Sequence, residues 1–212
     1  MLGIVSLPLF LGAVFVLNVT PGPDSAFIVG RSVSQGRMAG VLSALGINCG
    51  CTIHVMATAF GLSALLAASP SIFLGIKILG AMYLIYLGVM ILRQTLKARA
   101  ASASNEPLPP SRPMSNRRLF TQGFITNLLN PKVILFFLSF FPQFVSAGSE
   151  HTTLAFLALG AIFIAMSLIW TVFLALVAGS LSKKVAGNDQ LKRWVDRMVG
   201  MAFIGLGIKL AS

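Results

Sequence analysis

Residues 38 to 76 contain no Asp, Glu, Lys or Arg, and neither do residues 151 to 182. Each stretch exceeds the roughly 20 mainly apolar residues that a helix needs to cross a bilayer. Charged side chains are only 10% of the chain, hydrophobic ones 56%, and the mean hydropathy is +0.88. A soluble domain of 212 residues cannot bury that much apolar surface, because too much of it would lie outside. The chain therefore reads as an all-α integral membrane protein.

Six apolar segments can be traced. They cover about 4–34, 39–67, 71–92, 119–145, 153–181 and 194–211. The sixth is the weakest, since it opens on Asp196 and Arg197. Residues 1 to 20 lack a basic leader and run into TPGPD rather than a small-residue cleavage site, so a retained first helix is expected. Cys49 and Cys51 lie two apart on a helical run and point to nearly opposite sides, which disfavours a disulfide between them.

The net charge of +11 is a topology signal. Thirteen of the sixteen Lys and Arg fall between segments one and two, three and four, or five and six. Excess Lys and Arg mark cytoplasmic loops. These three loops are expected inside and both termini outside. No interleaving of aromatic and basic residues suggests nucleic acid.

Residues 98–116, ARAASASNEPLPPSRPMSN, are rich in Ala, Ser and Pro and read as a cytoplasmic linker. It divides one transport domain, 1–212, into halves 1–97 and 117–212. The halves echo each other. Lys77, Gly80 and Tyr83 match Arg197, Gly200 and Phe203 at an offset of 120. Segments one and four each carry a mid-segment proline. With three spans per half the repeats must be inverted, and a broken helix in each half is the pointer to a transporter site.

The breaks are Thr20-Pro21-Gly22-Pro23-Asp24 and Asn130-Pro131-Lys132. Proline removes a helix hydrogen bond and drives the preceding residue out of the helical region. Thr and Asn suit an N-cap and Pro the first helical position, so Thr20-Pro21 and Asn130-Pro131 are each expected to start a new half-helix. Two such starts would offer free N–H groups to a carboxylate, and Gly22 would let it approach. A plain proline kink is the alternative.

Asp24 falls in the first turn after the break. A carboxylate at a helix centre in a bilayer costs about 2.5–3.5 kcal/mol on insertion scales, so such a residue is usually functional and paired. Its partner could be a substrate amine, a proton or Lys132. Lys132 could equally bind a substrate carboxylate. His54, in GINCGCTIHVMATAFGL, could carry protons or be structural. Cys51 and His54 share a helix face, but two ligands are too few for a metal cage. No nucleophile–base–acid set, phosphate loop or HExxH motif is present, so neither an enzyme nor a cofactor is expected.

These motifs resemble the LysE/RhtB family of amino-acid exporters. The matching pieces are TPGPD at 20–24, His54 and its spaced glycines, and GLSALL at 61–66. KILGAMYLIYLGVMILR at 77–93, TNLLNPKVILFFLSFFPQF at 126–144 and MVGMAFIGLGIKL near the end complete the match. The resemblance implies a carrier in the bacterial inner membrane, driven by the proton motive force. It also implies substrates such as lysine, arginine, homoserine, threonine, leucine or cysteine. One departure bears on substrate: the fifth segment here holds no acid, which makes a basic substrate less expected.

The sequence thus predicts efflux of a small neutral amino acid or derivative by proton antiport. The expected substrate-binding residues are Thr20, Pro21, Gly22, Pro23, Asp24, Asn127, Asn130, Pro131 and Lys132, with Asp24 and His54 for proton coupling. A heavy-metal or small-cation exporter is the alternative. The expected partners are an amino-acid substrate and the lipid bilayer, without nucleic acid, and a homodimer stays open.

Overall fold

The computed structural model describes residues 2–62, 113–146, 149 and 151–180, and the isolated positions 78, 82, 86 and 89. All regular structure among them is helical, apart from one isolated bridge between Ile4 and Val145. The elements are α1 (Leu7–Val19), α2 (Pro23–Gln35), α3 (Arg37–Ala57, running into a π-turn Thr58–Leu62), α4 (Asn116–Leu128), α5 (Pro131–Ser139, extended by a 3-10 turn Phe141–Phe144) and α6 (Thr152–Ser180).

Two spans are continuous, Arg37–Gly61 and Thr152–Ser180. Two more are bent pairs: α1 meets α2 at 50°, and α4 meets α5 at 49°. Apolar segments one, two, four and five of the sequence correspond to these. Segment six lies outside the described residues, as does segment three apart from four helical positions. The linker 98–116 also lies largely outside them. Its last residue, Asn116, already belongs to α4, because the Ser115 hydroxyl caps that helix by accepting from the Arg118 N–H at 3.4 Å.

Helix α3 is the hub, packing against α2, α4 and α6. Its contact with α4 is backbone-close. A Cβ on Gly46 would run into the Phe120 carbonyl, and one on Gly123 into the Ser43 carbonyl. A Cβ on Gly50 would lie 2.8 Å from Asn127 Oδ1. Small residues let helix backbones approach in this way where no water-driven force presses them together.

Two different cores lie on either side of the helix breaks. Toward the Val145 end, Phe10, Phe136, Phe137, Phe140, Phe141, Phe144, Phe156 and Phe163 form one buried aromatic cluster. Its rings lie as close as 4.4 Å between centroids, at Phe137 and Phe141. Toward the Gln35 end, the core is thinner: Ile28, Ala44, Ile47 and Ala175, with buried Ser32 and Ser43 beside it. Large apolar side chains such as Ile169, Phe15 and Phe173 point outward, as a lipid-facing surface requires.

Candidate functional site

The first break differs from the expected one. Thr20 does not start α2; it closes α1. Its N–H and its hydroxyl both donate to the Val16 carbonyl, at 3.0 and 2.6 Å. Gly22 is the N-cap of α2, with φ −167 and ψ −175, and Pro23 leads the helix. The reason lies in having two prolines. Each forces the residue before it toward extended backbone, so both Thr20 and Gly22 are extended and the helix resumes only at Pro23. The second break follows the sequence expectation. Asn130 is extended, its side chain accepts from the Lys132 N–H at 3.1 Å, and Pro131 leads α5.

The start of α5 is nonetheless already satisfied. Besides the Lys132 N–H, those of Val133 and Ile134 donate to the Asn130 carbonyl, at 3.1 and 3.0 Å. The expected carboxylate cradle at Asn130-Pro131 therefore has no free donor there.

Lys132 reaches across to the other break. Its Nζ donates to the carbonyls of Leu17 and Thr20, both at 2.8 Å. In a continuous helix the Leu17 carbonyl would receive the N–H of residue 21, but that residue is proline and has none. Lys132 supplies the missing donor and places a cation at the negative end of α1. It forms no ion pair with Asp24 within 4.0 Å. The sequence alternative of a direct Asp24–Lys132 pair is therefore not the one adopted.

Asp24 is held instead by Asn127. Asn127 Nδ2, on α4, donates to Asp24 Oδ2 at 2.8 Å. The other oxygen, Asp24 Oδ1, is buried and without a partner, and so is Asn127 Oδ1. His54 Nε2 lies 3.3 Å from the main-chain carbonyl of Asn127, and its ring stacks on Phe137 at 5.7 Å. A main-chain carbonyl accepts a hydrogen bond but does not pass a proton on. This contact thus positions Asn127 and does not join His54 to Asp24 as a relay.

These groups meet at a cavity of about 30 Å³ lined by Leu17, Asn18, Asp24, Ser25, Ile47, Cys51, Asn127, Lys132, Val133, Phe163, Ser167 and Thr171. That is room for roughly two waters. Of the residues named from sequence, Asp24, Asn127 and Lys132 line it. Thr20 is joined to it through its carbonyl bond to Lys132. Pro21, Gly22, Pro23, Asn130 and Pro131 shape the breaks, and His54 stands behind Asn127. Among the described residues, no three His, Cys, Asp or Glu side chains gather into a metal-ligating group. Cys49 and Cys51 are both free.

Two broken helices that meet at a small cavity holding Asp24, Asn127 and Lys132, inside an apolar bundle, match the pattern of carriers. A family model for LysE type translocators matches residues 15–212. The chain belongs to this family. An uncharacterized membrane protein of Pseudomonas aeruginosa is 36% identical over 206 residues, spanning 95% of this chain and 92% of its own. Leucine efflux proteins of Salmonella typhimurium and Salmonella typhi are each 31% identical over 202 residues, with the same shares covered. No solved structure matches the chain. As a LysE type translocator the protein is a multi-pass membrane protein and an amino-acid exporter in general type.

Five polar or thiol positions of this translocator's cavity are not among the residues expected from sequence: Asn18, Ser25, Cys51, Ser167 and Thr171. Asn18 could have been found, because an amide within an apolar span carries the same signal as Asp24. Ser167 and Thr171 sit four apart on one face of the fifth segment, and Asn48 donates to Thr171 Oγ1 at 3.0 Å. Hydroxyls that bond back along their own helix leave little trace in sequence.

Proposed function

We propose that this chain is a secondary-active efflux carrier that exports a small neutral amino acid, or a close derivative, across the bacterial inner membrane in exchange for protons. The observation that carries the reading is the pair of buried, unpartnered acceptors Asp24 Oδ1 and Asn127 Oδ1 at the junction of two broken helices. An ammonium group or a proton is the chemistry such oxygens accept, and either would neutralise a carboxylate held away from water.

In this reading Asp24 alternates between the substrate ammonium and a proton. The two uses exclude each other, which is what antiport requires. His54 stands behind Asn127 and acts through it. Lys132 holds the two breaks together, and Pro21, Gly22, Pro23, Asn130 and Pro131 keep them open. The matching proline-led bends support an inverted repeat, with alternating access by rocking of one half against the other. The basic loops support a cytoplasmic position for the Gln35–Arg37 end.

Wall residues Leu17, Ile47, Val133 and Phe163 are apolar, which favours a neutral side chain. The names of the leucine efflux relatives agree with that class. Amino-acid release from preloaded cells tests the proposal. Overexpression should raise, and deletion lower, the external level of one or more neutral amino acids. If Asp24→Asn and Pro131→Ala both leave release unchanged at normal protein levels, the site is elsewhere.

A further inference from the structure

Three side-chain atoms around the cavity are buried and have no hydrogen-bond partner: Asn18 Nδ2, Asp24 Oδ1 and Asn127 Oδ1. They come from α1, α2 and α4. The orientation of Asn127 follows from its own bond. Its Nδ2 is committed to Asp24, so its Oδ1 is an acceptor, and the residue is only 1% exposed. The set is thus one donor and two acceptors, one of the acceptors on a carboxylate. Leaving such groups unpaired is unfavourable, most of all for the charged one. A fold that tolerates three of them around one cavity is built to hold something that completes them.

We infer that Asn18 reads the substrate's α-carboxylate while Asp24 and Asn127 together take its α-ammonium. This rests on the amino-acid exporter reading and adds to it the residue that makes the site select zwitterions over amines. A carboxylate needs donors; the N–H groups that open α5 are already engaged, and Lys132 keeps one of its three ammonium protons. The first-turn N–H groups of α5 bond to Asn130, and two of the Lys132 ammonium protons go to the carbonyls of Leu17 and Thr20. Asn18 Nδ2 is free. Ser25 also lines the cavity, and its N–H, in the first turn of α2, makes no backbone bond among the described residues. That turn carries the positive end of the helix dipole. The donor side and the acceptor side therefore offer complementary polarity to the two ends of one small zwitterion. A cavity of about 30 Å³ encloses these polar contacts but not a whole amino acid. The side chain of the substrate is accommodated only when the apolar wall moves.

The test uses the full chain reconstituted in proteoliposomes, with labelled L-leucine in counterflow and unlabelled competitors. L-leucinamide keeps the ammonium but lacks the carboxylate, and 2-hydroxy-4-methylpentanoate keeps the carboxylate but lacks the ammonium. Asn18→Ala should weaken L-leucine by at least ~10-fold, the loss of one hydrogen bond to a charged group, and weaken L-leucinamide clearly less, because its carbonyl accepts only as a neutral group. Asn18→Asp is nearly isosteric and replaces the donor with an acceptor. It should turn the preference toward L-leucinamide, whose amide can donate to the new carboxylate. Asn127→Ala should do the reverse, weakening L-leucine while leaving the hydroxy acid unchanged. Equal weakening of L-leucine and L-leucinamide by both Asn18 variants, or no weakening by either, overturns the inference while the exporter reading stands. Failure of the wild-type protein to exchange any neutral amino acid overturns the exporter reading and this inference with it.

Discussion

Asn127 Nδ2 donates to Asp24 Oδ2 at 2.8 Å, joining residues 103 apart in sequence and tying α4 to the first turn of α2. One broken helix thereby holds the ionisable residue of the other. Removing the amide leaves Asp24 with neither oxygen paired, and a hydrogen bond to a charged group is worth about 1.5–3 kcal/mol. Asn127→Ala should lower the initial export rate about 10- to 100-fold. Asn127→Asp should be more damaging, because a second carboxylate at hydrogen-bond distance repels the first. Rates from preloaded cells, normalised to membrane protein level, check both.

Lys132 should behave as a structural clasp more than as a ligand for substrate. Both of its bonds go to carbonyls of the α1 terminus, one of which Pro21 cannot satisfy. Lys132→Met strands these carbonyls and should lower the thermal stability of the detergent-purified protein. The expected loss is roughly 1–3 kcal/mol per unpartnered group. Lys132→Arg, which keeps charge and donors, should recover part of it. Half-saturation for substrate should change less than stability does.

Much of this was legible in the sequence, and the reasons are physical. Charge-free runs pointed to α3 and α6, since an unbroken apolar run of that length satisfies its backbone in lipid as a helix. Proline located both bends. The cap at Asn130 was readable because a single proline follows it. The cap at Gly22 was not, because Thr20 and Gly22 both precede prolines and the Thr20 hydroxyl turned back to Val16. The bonds of Lys132 to Leu17 and Thr20 were also hidden. They depend on where two segments more than a hundred residues apart come together, and main-chain acceptors have no sequence signature.

The α3–α4 contact should tolerate no side chain. Gly46 faces the Phe120 carbonyl and Gly123 faces the Ser43 carbonyl, both backbone groups that cannot swing aside. Gly46→Ala should cost about 1–3 kcal/mol, as overpacking does, and Gly46→Val should prevent assembly. A methyl group added at Gly12 or Gly30 would meet nothing within 4 Å, so Gly12→Ala and Gly30→Ala should be neutral by comparison. Fluorescence-detected size-exclusion profiles of detergent extracts separate the two groups.

His54 should matter through shape and one hydrogen bond rather than as a link in a proton path. Its Nε2 contacts the main-chain carbonyl of Asn127, and its ring stacks on Phe137. Gln keeps a donor at a comparable reach, whereas Phe keeps the ring and loses the donor. His54→Gln should retain export within about 3-fold, and His54→Phe should fall by about 10-fold, the scale of one hydrogen bond. The pH profile of export should stay the same in His54→Gln. A profile that flattens in this variant would move proton coupling to His54.

Phe163 should set how large a substrate the site admits. Among the described residues it is the one phenylalanine that both lines the cavity and packs into the aromatic cluster, with its ring 4.8 Å from that of Phe137. The cavity is too small for an amino-acid side chain, so the proposed site requires this wall to yield. Full truncation to Ala would cost about 3–5 kcal/mol and confound the result. Phe163→Leu removes part of the ring while keeping an apolar wall, at a lower cost. It should shift export toward bulkier neutral amino acids, raising phenylalanine relative to leucine by about 10-fold. That is the discrimination a methylene-sized change in an apolar pocket supplies. Competition between leucine and phenylalanine in counterflow measures it, and an unchanged ratio would place the side-chain pocket away from Phe163.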